Sequence, residues 1–375
     1  MAVASHPDIL YRMAFAGIRG MGYELAQRLL DIVPSEKDFF ALTDRELKSI
    51  TGSRSKVWER ASRDEMLRKA ERELSFVEQK HIKVLYFKDA DYPVRLSNAS
   101  DAPILLYVIG DCNLNAKHMI SIVGTRRSTH YGAAFCDKLV EDLSKMLEGD
   151  LVIVSGLAYG ADINAHRAAL RYGVPTVGIQ ACGLNKIYPA EHRNDAAHMV
   201  QQGGAVVSDY TSQDEIHRGN FLARNRIIAA LSDCTVVVES ADKGGALVTA
   251  NIAASYSRDV FAVPGRVTDE YSKGCNRLIM NNQAAAITCA EDLLKAMRWE
   301  SKLVPEKAKE LELFPQLTAE QQKVVDILRK QGDLHINDLA GLMSLPIYRL
   351  MATLVELDTK GVTATLPGCR YTLKR

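Results

Sequence analysis

Four segments of this 375-residue chain carry the residue types that hold phosphate. The first is Gly124-Thr125-Arg126-Arg127-Ser128-Thr129, directly after the apolar run Met119–Val123. Gly124 lets a ligand approach the backbone, Thr125 and Ser128 offer hydroxyls, and Arg126, with Arg127 beside it, offers a planar fork suited to phosphate. The second, Ser155-Gly156-Leu157-Ala158-Tyr159-Gly160-Ala161-Asp162, repeats the device after Leu151–Val154. Both read as strand-to-helix turns, where free backbone N–H groups and a helix N-terminus form an anion seat. The third places Arg218, Arg224 and Arg226 within nine residues, interleaved with Phe221 and Asn225. Cations for phosphates and a ring for a base are what a single-stranded nucleic acid needs. The fourth, Glu239-Ser240-Ala241-Asp242-Lys243-Gly244-Gly245, adds a further cation and a glycine pair at another strand end.

One seat would fit a nucleotide. Two seats with several arginines, and no base, nucleophile or metal cluster beside them, point to a polymer backbone. Neither turn is a Walker A loop, because no Gly-Lys-Ser/Thr follows, and neither is G-x-G-x-x-G. Asp162 and Asp209 read as capping and loop-bracing acids rather than catalysts. His166, one turn into the helix after the second seat, reads as a packed histidine. No Ser–His–acid or Cys–His arrangement follows from the spacing, so no catalytic residue is assigned. The seven cysteines are scattered, with no C-x-x-C. That pattern fits reduced thiols in a cytoplasmic protein and gives neither a zinc site nor a disulfide frame. No metal and no cofactor is assigned.

These loops need elements to hold them. Residues 81–298 alternate strand and helix. Nine apolar runs read as strands: Val84–Phe87, Ile104–Ile109, Met119–Val123, Leu151–Val154, Thr176–Ile179, Ala205–Val207, Thr235–Val238, Val260–Val263 and Ala285–Ile287. Continuous β-branched runs fit strands covered by helices on both faces. The alternation predicts an α/β fold, a Rossmann-like doubly wound, mostly parallel sheet, with its ligand outside the carboxyl ends of the strands.

Two smaller parts flank it. Residues 1–80 read as a helical domain, in which Gly17-Ile18-Arg19-Gly20-Met21-Gly22 between two helices resembles a helix-hairpin-helix (SAM-like) turn. Such a turn can touch a DNA phosphate or serve only as scaffold. The charged stretch Arg54–Leu74, with Glu65 and Lys69 four apart, reads as a solvated helix face. Residues 299–316, charged and carrying Pro305 and Pro315, read as a linker. Residues 317–375 give three helices and two strands, the outline of a winged helix, opened by Thr318 and Gln321 as an N-cap pair. Its third helix is poor in basic residues, essentially Arg349 alone, which favours protein contact or a structural role over DNA.

Bulk properties agree with a local rather than a global polyanion site. The formal net charge is +1, with 47% hydrophobic and 25% charged residues. No apolar run approaches the roughly 20 residues that span a bilayer, and no signal-peptide pattern opens the chain, so no membrane partner is expected.

A set of motifs resembles the bacterial DNA-processing protein A (Smf) family. It comprises Gly124-Thr125-Arg126, Ser155-Gly156-Leu157-Ala158-x-Gly160-x-Asp162-x-x-Ala165-His166, Tyr188-Pro189, Phe221-x-x-Arg224-Asn225-Arg226-Ile227-Ile228-Ala229, Leu247-x-Thr249-Ala250, Val260-Phe261-Ala262-Val263-Pro264-Gly265 and Gly274-Cys275-Asn276-x-Leu278-Ile279. The resemblance is dense over about residues 81–298. It implies a non-enzymatic protein that binds and protects single-stranded DNA, helps load the RecA recombinase in natural transformation and homologous recombination, and works as a homodimer through the Rossmann-like domain. On the family pattern Arg126 holds a phosphate, Arg218 replaces a common lysine, Phe221 stacks on a base, and Gly244 and Gly245 approach the DNA backbone. The sequence departs from that pattern at Asn185, at Gly244, where serine is common, and at Asn282-Gln283-Ala284. Two other readings stand beside it. One is a Rossmann-like enzyme acting on nucleotides, which would need a Pro-Gly-Gly-x-Gly-Thr turn that this chain lacks. The other is a protein-interaction adaptor with a vestigial pocket.

Overall fold

The computed structural model describes residues 6–53, 55–301 and 317–374. Among the described residues, five α-helices come first: α1 (His6–Ala16), α2 (Tyr23–Ile32), α3 (Glu36–Ala41), α4 (Asp44–Thr51) and α5 (Arg60–Gln79). The glycine turn at residues 17–22 joins α1 to α2, as the spacing predicts. Local chemistry fixes the ends. Thr43 and Glu46 form a reciprocal capping box on α4, and Gly52 closes that helix in the left-handed region at φ 66°. The helix α5 is not simply a solvated face. Glu65 and Lys69 do pair across one turn at 2.8 Å. Arg63, however, is fully buried and donates to the carbonyls of Trp58 and Phe40 and to Asp44. A count of charges along the helix does not show that one of them serves backbone carbonyls inside.

Nine strands form the main sheet: β1 (Lys83–Tyr86), β2 (Leu105–Gly110), β3 (His118–Val123), β4 (Leu151–Ser155), β5 (Thr176–Ile179), β6 (Ala205–Ser208), β7 (Cys234–Val237), β8 (Asp259–Ala262) and β9 (Ala285–Ala286). Their order is β1-β2-β6-β5-β4-β3-β7-β8-β9. From β6 to β9 every pairing is parallel, while β2 runs antiparallel to both β1 and β6. The parallel strands β3 to β7 are buried along their whole length and β8 over all but its first residue, as their unbroken apolar runs require, whereas the two-residue edge strand β9 is exposed. The chain steps outward from β3 in one direction through β4, β5 and β6, then returns to the other side of β3 with β7. The gap between β3 and β7 is therefore the topological switch point, where loops from neighbouring strand ends splay apart.

The helices that cover this sheet are the short α6 (Val94–Ser97), then α7 (His130–Met146), α8 (Ala161–Arg171), α9 (Arg193–Gln201), α10 (Arg218–Leu231), α11 (Gly245–Ser255), α12 (Lys273–Met280) and α13 (Ala290–Met297). The N-terminal helices share one core with the sheet: Phe15, Phe39 and Leu47 belong to the same buried cluster as Leu106 and Val206. Residues 1–303 accordingly form one compact unit, and the change near residue 80 is a change of architecture within it. The expected linker falls, from residue 302 onward, outside the described residues.

The second unit holds α14 (Ala319–Gln331), β10 (Leu334–His335), α15 (Ile336–Met343), α16 (Ile347–Thr359), β11 (Thr363–Leu366) and β12 (Arg370–Leu373). Thr318 and Gln321 cap α14 reciprocally, as read from sequence. The strand β10 has no counterpart among the strands read from sequence; two residues carry no periodicity. It completes a three-stranded sheet beside the three helices, a winged-helix arrangement over its own core of Leu339, Leu350, Leu354 and Leu357. No single helix among the described residues is long and apolar enough to cross a membrane.

Candidate nucleic-acid interface

A groove of about 740 Å³ opens at the switch point. Its walls are the loop after β3, the loop after β7, and the first turns of α10 and α11. Gly124 lines this groove and is also needed for close packing. A Cβ on it would lie 2.6 Å from the Ala161 Cβ, so the first two turns interlock. The Thr125 carbonyl accepts from the Ala161 amide at 3.1 Å, and the Thr125 amide donates to the Glu239 carbonyl at 2.7 Å.

Both helix N-termini that the sequence marks as phosphate seats are already served by the protein. At α7, Thr129 caps the helix and the buried Glu239 carboxylate accepts from the Thr129 amide (2.8 Å), the Thr129 hydroxyl (2.5 Å) and Ser128 (3.1 Å). An internal anion thus occupies the end of that dipole. At the second turn Ser155 is buried and donates to the Ile122 carbonyl at 2.6 Å, while the Ala158 amide donates to Asp162 at 3.3 Å. The space above Gly156 is filled by Arg224, whose guanidinium donates to the Gly156 and Ile179 carbonyls. Burial pushes the Asp162 carboxyl up, opposed by attraction to Arg224, and the same burial draws the Arg224 guanidinium down, opposed by Asp162. Arginine retains its charge under such a shift, since its ordinary value is so high. Ser155, Gly156 and Arg224 are therefore part of the floor rather than free ligands for an anion.

The expected arginine cluster also divides. At roughly 100° per residue, Arg224 and Arg226 point about 200° apart on α10. Arg226 pairs with Asp209 at 2.5 Å and donates to the Asp101 carbonyl, lining a separate cavity against the N-terminal helices. Asn225 is buried and donates to the Gly245 carbonyl at 3.4 Å, tying α10 to the start of α11. Linear proximity in a helix is no measure of a shared face.

Three cations remain open to the groove. Arg126, Arg218 and Lys243 are exposed, line it, and have no ion pair among the described residues. Arg127 is exposed but does not line it; its amide donates to the Thr125 hydroxyl at 3.2 Å. The helix α11 starts at Gly244 with no side-chain cap, and nothing lies within 4 Å of where a side chain on Gly245 would begin. Its first amides are free to meet an anion. The helix α10 likewise lacks a capping side chain.

Phe221 is partly exposed in the same groove, with the Arg126 guanidinium 5.7 Å from its ring centre. Tyr188, 45% exposed, lies beside it with ring centroids 5.3 Å apart. Sequence reading does not place Tyr188 in the site. The two rings are far apart in the chain, and the only signal is Tyr188-Pro189 among the family motifs. Two other groups with catalytic potential are engaged elsewhere: Asp242 pairs with Arg277 at 2.5 Å, and His166 is buried on the Thr176 hydroxyl at 2.7 Å. Burial lowers the His166 imidazole to about 3, so it is a neutral packed group.

The fold and groove define a Rossmann-like α/β protein with a cationic, ring-bearing crevice at its switch point. Residues 83–298 match the family model of DNA recombination-mediator protein A, and the chain belongs to that family. It is 31% identical to the protein Smf of Escherichia coli K12 over 326 residues, which cover 82% of this chain and 85% of that one. It is 37% identical to DNA processing protein DprA of Streptococcus pneumoniae over 206 residues, covering 55% of this chain and 71% of the relative. The X-ray structure of DNA processing protein A from Streptococcus pneumoniae matches with a TM-score of 0.64 at 31% identity, covering 76% of this chain and 96% of that one.

Proposed function

We propose that this protein binds single-stranded DNA in the switch-point groove, as a binding protein and not as an enzyme. The observation that carries the reading is the convergence of Arg126, Arg218, Lys243 and the uncapped start of α11 on the Phe221–Tyr188 ring pair. Cations and amides hold a phosphate backbone, and the rings take unpaired bases. The family to which the chain belongs is that of a DNA recombination mediator, which supports the same ligand. The function is to protect the bound strand and promote loading of the RecA recombinase during transformation and recombination, with two copies joined through the α/β unit. In α12, Leu278 is core and Met280 is 75% exposed, which makes Met280 the residue to test for that joining.

Affinity for single- and double-stranded oligonucleotides of equal length, at two salt concentrations, tests the reading. Tighter binding to the single strand, weakened by salt, is expected. Equal affinity for duplex would remove the stacking role, and turnover of added nucleotides would restore the enzyme.

A further inference from the structure

The outer face of α16 bears an unpartnered apolar seam. Ile347, Met351 and Val355 are spaced four apart, so they lie along one side of the helix. Tyr348 flanks them. These four residues are between 45% and 77% exposed, although the adjoining side of α16, with Leu350, Leu354 and Leu357, is completely buried. Single exposed apolar residues are ordinary; a continuous seam on a helix that has already filled its own core is an interaction surface.

The seam carries no charge. Arg349 lies toward α14, 3.6 Å from Glu320, and two further cations of this unit are engaged too: Arg370 with Asp333 at 2.8 Å and Lys374 with Asp358 at 3.3 Å. A DNA backbone would find few free counter-charges along this helix, although winged helices commonly present this element to a duplex.

We infer that α16 packs on α16 of a second copy, antiparallel, about a two-fold axis through Met351. A two-fold contact sets each surface against itself, so any charge near the axis would meet its like; an uncharged seam avoids that repulsion. The antiparallel sense also sets the two helix dipoles side by side and opposed, the positive end of one beside the negative end of the other. In that register Ile347 of each copy meets Val355 of the other. The exposed portions of these four large apolar residues amount to roughly 450 Å² per copy, or about 900 Å² in the pair, close to the scale at which a specific interface begins. This contact is separate from any joining of the α/β units and does not depend on DNA. With both present, each copy would have two self-complementary surfaces, and association would continue beyond a dimer.

Charge complementation in the full chain tests the inference, read by sedimentation velocity over a range of concentrations. Wild type is expected to show an association step that survives high salt. Ile347→Lys alone and Val355→Glu alone should each abolish that step, because like charges or a buried lone charge would face the seam. The double variant should regain it, now salt-sensitive, because Lys then faces Glu twice across the axis. Both substituted positions are on the surface, and unchanged circular dichroism and melting would establish intact folding. Wild-type sedimentation identical to both single variants would overturn the inference. So would a double variant no better than the singles, which would refute the antiparallel register. Either failure leaves the DNA groove untouched, since that reading is judged by oligonucleotide affinity.

Discussion

The Arg224 guanidinium occupies the space that a side chain on Gly156 would need: a Cβ there would lie 2.5 Å from Nη2 and 2.6 Å from Cζ. The turn that looks like an open anion seat is thus filled by a cation from α10. Arg224 joins the ends of β4 and β5 to the helix that presents Arg218 and Phe221. It shapes the floor of the groove and fixes the position of that helix.

Arg224→Met is therefore expected to lower stability by about 1–3 kcal/mol, because the Gly156 and Ile179 carbonyls lose their buried donor. Gly156→Ala should cost about 1–3 kcal/mol by overpacking. Urea unfolding measures both. In the fraction that remains folded, the salt slope of single-strand binding should match wild type, since every phosphate ligand is still in place; a flatter slope would make Arg224 a direct ligand.

Arg126→Ala and Arg218→Ala should behave in the opposite way. Each removes a charge-assisted hydrogen bond worth about 1.5–3 kcal/mol, so single-strand affinity should fall about tenfold or more while the melting temperature stays unchanged. The salt slope should flatten by about 0.7 for each phosphate that is no longer neutralised. Arg349→Ala, in α16, is the control and should leave affinity as it was.

Phe221→Leu keeps an apolar group in the groove but removes the ring. Stacking is worth about 1–3 kcal/mol per base, so the preference for single strands over duplex should shrink about tenfold. Tyr188→Leu should act in the same direction if the two rings form one platform. A variant whose duplex and single-strand affinities fall together would show that the ring serves packing instead.

His166 makes a pH dependence. Its folded value is held at about 3 by burial, below its ordinary 6.5. Above pH 6.5 it is neutral whether the chain is folded or not, and its contribution is fully present. As pH falls from 6.5 toward 3, only the unfolded chain takes the proton, so stability is lost across that window. Between pH 7 and 5 the loss from this residue should be about 2 kcal/mol. His166→Gln can keep the bond to Thr176 without titrating. Its unfolding free energy should fall less than that of wild type over the same interval, as measured by urea titrations at both pH values.

Several features of this protein were determined by its sequence alone. The central strands are apolar runs long enough to be fully buried, and glycine or polar turns end them, so alternation alone specified the mostly parallel α/β sheet. Thr318 with Gln321 and the turn at Gly17–Gly22 are local chemistry, readable because their partners are a few residues away. The family followed from motifs for the same reason. What tertiary structure decided was which of the candidate groups are free. Glu239 reaches the start of α7 across 110 residues, and Arg224 reaches the Gly156 carbonyl across 68. Such long-range partners consume two of the apparent anion seats and leave the third, at Gly244 and Gly245, open. Helical rotation, not spacing along the chain, separates Arg226 from Arg224, and strand order brings Tyr188 to Phe221. Local interactions are written in neighbouring residues; the availability of a charged group depends on what folding places within hydrogen-bonding distance of it.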